Sequence, residues 1–244
     1  MSSKKKMKPM TAQQFVDKIR FFLNTHKADL DIIQSKLSSF FEMKIYNDVV
    51  RAYCEMGYKC KPIQLQKNGS FKYKTSTNGY LENFSMFEIE KNGKFFWIVH
   101  NLKCESKDYG DSYITADICV INKKSHKRKK IDRQPIDYVP NSDLMTFFEC
   151  KFMPPFPELI ASFIGLVKVL TPELLGKTSG KSHIAPSLVC ANNGSKNSYR
   201  FANSVQATHT INILNNMAYR TMKARIANKQ VQLIEDRYNT TDCI

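Results

Sequence analysis

No apolar run in this 244-residue chain reaches the length of about 18 that a membrane-spanning helix needs. The opening stretch MSSKKKMKPM also lacks the apolar core of an export signal. A membrane partner is therefore not expected, the sequons at Asn83, Asn193 and Asn239 carry no meaning, and a cytoplasmic protein is the expectation. The cysteines, Cys54, Cys60, Cys104, Cys119, Cys150, Cys190 and Cys243, include no C-x-x-C pair, which argues against a zinc site and for reduced thiols. His26, His100, His126, His183 and His209 are dispersed and receive no chemistry, and no serine sits in a nucleophile elbow. Internal repeats and low-complexity linkers are missing too, so one compact domain is the default. Acidic residues are scarce: 22 against 37 lysines and arginines leave a formal charge of +15. That excess asks for an anionic partner, of which nucleic acid is the commonest.

GKTSGKS at residues 176–182 looks like a phosphate-binding loop but does not fit one. A P-loop needs G-x-x-x-x-G-K-[ST] leaving a strand and entering a helix. Here the glycines are one residue too close, a helix is expected before the segment, and the strand-like HIAPSLVC follows it. No nucleotide cofactor is expected; Lys177 and Lys181 would instead meet a nucleic-acid backbone.

Apolar spacing and capping-box patterns predict helices over residues 11–24 (Thr11 with Gln14), 28–37, and from Ser39 with Glu42 to Gly57. From residue 58 the period becomes strand-like. KCKPIQLQ, FKYKTST, MFEIE and FFWIVHNL, with turns at Asn68-Gly69 and Asn92-Gly93, read as an antiparallel meander. YITADICVIN and LMTFFECKF follow as strands, separated by a polar insertion carrying KKSHKRKK, read as a solvated loop. Phe156, Leu159, Ile160, Phe163, Val167 and Leu170 mark an apolar helix begun by Pro157. A short strand in IAPSLVCAN and helical sequence through about Arg237 complete the chain. The expected divisions are a basic tail (Lys4, Lys5, Lys6, Lys8) with helices over 1–57, a core over 58–205, and a helical segment over 206–244.

Strand LMTFFECKF puts Met145, Phe147, Glu149 and Lys151 on one face and Phe148, Cys150 and Phe152 on the other. Two charges on an apolar strand are costly unless paired or used. The neighbouring strand offers Asp117. An aspartate and a glutamate on adjacent strands can hold one Mg²⁺ through oxygen, which supplies an activated water and stabilises a phosphoryl oxygen. A lysine two residues on can orient the water or stabilise developing negative charge. Phosphodiester hydrolysis suits these parts.

Asp117 followed by Glu149-Cys150-Lys151, in the order helix, strands, D-strand, ExK-strand, helix, strand, resembles the PD-(D/E)XK nuclease superfamily over roughly residues 38–195. The resemblance implies an α/β (α+β), restriction-endonuclease-like fold with a mixed central sheet flanked by helices. It implies a Mg²⁺-dependent endodeoxyribonuclease in which Mn²⁺ substitutes, with Asp117 and Glu149 as metal ligands and Lys151 as the catalytic lysine. Glu42 on the preceding helix would be a further ligand, although the capping box explains it without catalysis. Ala116 stands where the motif name has proline. Two other E-x-K triplets fit less well: Glu42-Met43-Lys44 lies on a predicted helix, and Glu105-Ser106-Lys107, with Glu88 or Glu90 as partner, has no helix after it.

Lys123, Lys124, Lys127, Arg128, Lys129 and Lys130 would meet phosphates near the site. DNA as substrate, a homodimer, and a restriction or phage-defence role are what the resemblance implies. The alternative is a nucleic-acid-binding or assembly module on the same fold that does not cut.

Overall fold

The computed structural model describes residues 27–131, 134–175, 183–215, 222–226 and 229–233. Helix α1 spans Lys27–Glu55 without interruption. This corrects the expected break before Ser39: no Gly or Pro lies between residues 27 and 55, and the Ser39–Glu42 pair sits inside the helix, not at its start. The helix ends as expected at Gly57. A positive φ of 84° there lets Tyr58 N–H reach Tyr53 O and Gly57 N–H reach Cys54 O, both at 3.0 Å. That reversal sets Cys54 beside Cys60, and the two form a disulfide with Cα atoms 5.9 Å apart, which corrects the reading of every cysteine as a thiol. The expected 11–24 helix lies outside the described residues.

Residues 1–39 and 40–244 form two compact units, the larger holding α1 from Phe40 onward together with the sheet. In the larger unit, a nine-stranded, mostly antiparallel sheet runs β1-β2-β3-β4-β7-β8-β9, with β6 on β3 and β5 on β6. The strands are β1 (Lys59–Ile63), β2 (Met86–Lys91), β3 (Lys94–Glu105), β4 (Tyr113–Asn122), β5 (Lys127–Ile131), β6 (Gln134–Val139), β7 (Leu144–Lys151), β8 (Ser187–Cys190) and β9 (Asn212–Asn215). β10 (Met222–Ile226) and β11 (Lys229–Leu233) form a separate hairpin. The mixed α/β class holds. Over the described part of residues 206–244 the helical reading does not: α3 (Lys196–Thr208) gives way to strands whose apolar residues alternate, as in Met222, Ala224 and Ile226.

The FKYKTST strand is also absent. Phe71 and Tyr73 instead lie 6.0 and 5.9 Å from Tyr46 of α1 as part of an aromatic cluster, and buried Lys74 ties the segment down. Its Nζ donates to Ser76 O at 2.6 Å and to Asn101 O at 2.8 Å, and burial pulls its pKa down to about 8. Asn92-Gly93 does make the expected tight turn, with both residues at positive φ.

The sheet carries a core on each face. Ile45, Tyr46, Val49 and Tyr53 of α1 pack on Ile98, Ile118, Val120 and Phe148. Helix α2 (Pro157–Leu170) lays Ile160, Phe163, Val167 and Leu170, the stripe seen in the sequence, over Phe147, Cys119 and Leu188. Phe156, expected in that stripe, is exposed.

Two neighbouring strands change phase at the same level. On β3, Phe96 and Ile98 pack towards α1, whereas Leu102 and Cys104 pack towards α2; the switch falls at Asn101, held at φ 50°. On β4, Ala116 and Ile118 also belong to opposite cores, so the switch falls at Asp117.

Candidate active site

Asp117 and Glu149 meet where the sheet forks. The β4–β7 ladder runs antiparallel from Ile121↔Leu144 to Ile118↔Phe148 and ends there. From Phe148 to Lys151, β7 pairs in parallel with β8. Just past the last rung the Asp117 side chain takes over as acceptor: Oδ2 receives the Cys150 backbone N–H at 2.7 Å. Glu149 Oε1 receives Lys151 Nζ at 2.5 Å, so the two charges share a face as the alternation requires. Glu149 Oε2 is buried and has no hydrogen-bond partner among the described residues. α1 supplies Glu42, whose charge acts on both carboxyls.

The electrostatics are those of carboxylates crowded out of water. Burial, then the charge of Glu149, pushes Asp117 up to about 7, and the Cys150 hydrogen bond and Lys151 only partly offset this. Burial also raises Glu149, against the pull of Lys151. Burial alone would lower Lys151, but the charge and hydrogen bond of Glu149, with Asp117 behind them, hold it above the usual lysine value. Two raised carboxyls beside a buried, unpartnered oxygen are a donor set for a hard cation. Glu149 and Asp117 fit Mg²⁺, which binds through one or two carboxylates and keeps its waters.

A pH dependence follows. An aspartate bound to its proton more tightly in the folded than in the unfolded chain stabilises the fold fully below its unfolded pKa near 3.8 and loses that contribution as pH rises through about 7. Denaturation in chelator is expected to give a stability that falls between about pH 4 and 7 from this group. In the Asp117→Asn variant that part of the slope should vanish; an unchanged slope would assign it elsewhere.

The other E-x-K triplets are occupied by structural contacts. Lys44 pairs with Asp48 at 3.1 Å, and Lys107 with Glu173 at 3.0 Å. Glu105 receives the Asn141 N–H at 3.3 Å. Glu88 pairs with Lys123 at 2.8 Å, and Glu90 with Lys59 at 3.5 Å.

KKSHKRKK corrects a further expectation. It is no loose loop: Lys127–Ile131 forms β5, paired with β6, because its cations find fixed partners. Arg128 Nε meets Asp137 Oδ1 at 2.7 Å, its Nη2 meets Glu82 at 2.7 Å, and Lys129 pairs with Asp111. Lys123, Arg128 and Lys129 are thus engaged within the chain, while Lys124, Lys127 and Lys130 stand exposed on the same insertion. Lys177 and Lys181, with all of GKTSGKS, lie outside the described residues.

Among the described residues, ligand atoms of three His, Cys, Asp or Glu side chains close to within 4.8 Å at Glu82, His126 and Asp137, which the sequence did not suggest. The Arg128 guanidinium bridges the two carboxylates there, so the cluster is an ion-pair knot. The ligand atoms of Glu42, Asp117 and Glu149 do not all close to within that distance.

No protein-family model matches the chain, and no curated protein matches it. No helix among the described residues is long and apolar enough to cross a membrane.

Proposed function

We propose that this chain is a Mg²⁺-dependent endonuclease of the PD-(D/E)XK kind, with a restriction-endonuclease-like core. The observation that carries the proposal is the convergence of Asp117 and Glu149-x-Lys151 at the sheet fork, with one buried Glu149 oxygen left unpartnered. The element order supports it: α1, then antiparallel β3, β4 and β7, then α2, then β8 parallel to β7. So does the charge of +15, which suits a polyanion and underlies our choice of DNA as substrate. A homodimer and a role in restriction or phage defence belong to the same proposal, as does a cytoplasmic setting.

Asp117 and Glu149 would hold the cation, and Mn²⁺ would replace Mg²⁺. When bound, the cation supplies an activated water and a counter-charge to a phosphoryl oxygen. Lys151, half-buried and with its ammonium on Glu149, would orient the attacking water and stabilise negative charge developing on the phosphate. Lys124, Lys127 and Lys130 would meet the nucleic-acid backbone.

Plasmid and single-stranded DNA incubated with the full chain should be cut in Mg²⁺ or Mn²⁺, remain intact in chelator, and remain intact with Glu149→Ala. Cutting by Glu149→Ala in a contaminant-free preparation would overturn the proposal. Retention of DNA binding with no cutting by wild type would favour the non-catalytic module.

A further inference from the structure

Between α1 and β3 lies an imidazole that the core does not explain. His100 is 2% exposed, and neither ring nitrogen has a hydrogen-bond partner among the described residues. Leaving a buried polar group unpaired is costly, so an apolar side chain would serve packing alone better. His100 Nε2 lies 3.5 Å from Glu42 Oε2, inside ion-pair contact but without hydrogen-bond geometry.

That approach is fixed from both sides. Tyr46 follows Glu42 by one helical turn on the same face of α1. Its hydroxyl donates to Ile98 O at 2.7 Å, and its ring centroid lies 5.5 Å from that of His100. Ile98 and His100 are two apart on β3, just before the phase change at Asn101. The Tyr46–Ile98 bond therefore sets the helix against the strand at the register that brings Glu42 over His100. Glu42 in turn adds its charge to both Asp117 and Glu149.

We propose that His100 is a positioning residue for the cation site: its Nε2–H holds the Glu42 carboxylate towards Asp117 and Glu149, making Glu42 the third oxygen ligand. The inference rests on the nuclease reading and deepens it. His100 itself is too buried to touch substrate. Its effect passes through Glu42, as for other hydrogen-bonding groups behind metal-ligating carboxylates, whose loss typically costs 10–100-fold in affinity.

The test is calorimetric titration of Mn²⁺ into the full chain, with thermal melts as a folding control. His100→Phe keeps a ring but no donor and is expected to weaken Mn²⁺ binding about 10–100-fold. His100→Gln, whose amide reaches the level of Nε2, should restore affinity to within a few-fold of wild type. Should His100→Phe not fold, His100→Asn, whose amide stops at the level of Nδ1, takes its place with the same expected loss. In a double-mutant cycle, adding His100→Phe to Glu42→Gln should cost little beyond Glu42→Gln alone. Wild-type affinity in His100→Phe, or full additivity with Glu42→Gln, would overturn the role of His100 alone. Failure of wild type itself to bind Mn²⁺ would overturn the underlying cation site and this inference with it.

Discussion

Lys151→Met is expected to lower DNA cleavage by about 10²–10³-fold while leaving Mn²⁺ binding in place, the scale of loss when one preorganised charge-stabilising group is removed. Methionine keeps most of the aliphatic stem, so packing beside Cys190 and the β8 ladder is little disturbed. The ammonium that is lost sits on Glu149 Oε1 at 2.5 Å, and its absence leaves that carboxylate more reluctant to ionise, which the bound cation offsets. The two roles open to Lys151 then separate cleanly. A lysine that merely neutralises Glu149 would be dispensable once Mn²⁺ is present, and cleavage would survive in saturating metal. A lysine acting on the phosphate would be missed at every metal concentration. Single-turnover cleavage against Mn²⁺ concentration distinguishes them: a rate that recovers to the wild-type plateau refutes the catalytic assignment.

Asp117→Asn should raise the melting temperature of the metal-free protein at pH 8 and abolish metal-dependent cleavage at once. At that pH the native aspartate is ionised although its folded pKa lies near 7, because burial and Glu149 oppose the charge. A displacement of that size corresponds to roughly 2–4 kcal/mol of lost stability, or about 4–16 °C for a chain of this length. Asparagine keeps an oxygen to accept the Cys150 N–H, so the fork retains its hydrogen bond. The gain should disappear below about pH 4, where the aspartate is neutral in the unfolded chain as well. Scanning calorimetry at pH 4 and pH 8 checks the pattern; a variant less stable than wild type at pH 8 would mean that Asp117 is paired, not strained. Added Mn²⁺ should stabilise wild type and leave Asp117→Asn unmoved.

The parts of this site that lie within one strand were legible in the sequence. Alternation along LMTFFECKF assigns Glu149 and Lys151 to one face, and the apolar stripe after Pro157 marks α2, because both are local periodicities. What depended on distant partners was not. Ser39 and Glu42 satisfy a capping pattern, yet the helix runs through them, since nothing between residues 27 and 55 stops it. KRKK has no alternation of its own and became β5 only because Asp137, Glu82 and Asp111 neutralise it. His100 carries no signal in the sequence because its meeting with Glu42 depends on the Tyr46–Ile98 register. An Asn in FFWIVHNL gives no sign of the left-handed backbone that changes the strand's phase.

The fork has a consequence for the order in which the molecule is built. β2, β3 and β4 close through short connections, whereas β8 reaches β7 only after the whole α2 crossover, a longer and entropically slower closure. Lys151 is paired along its backbone by β8, not by β4. Glu149 lies beyond the β4 ladder in the same way, so a nascent chain would fix Glu149 and Lys151 together only once β8 docks, and the proposed cleavage competence would be among the last properties gained on folding.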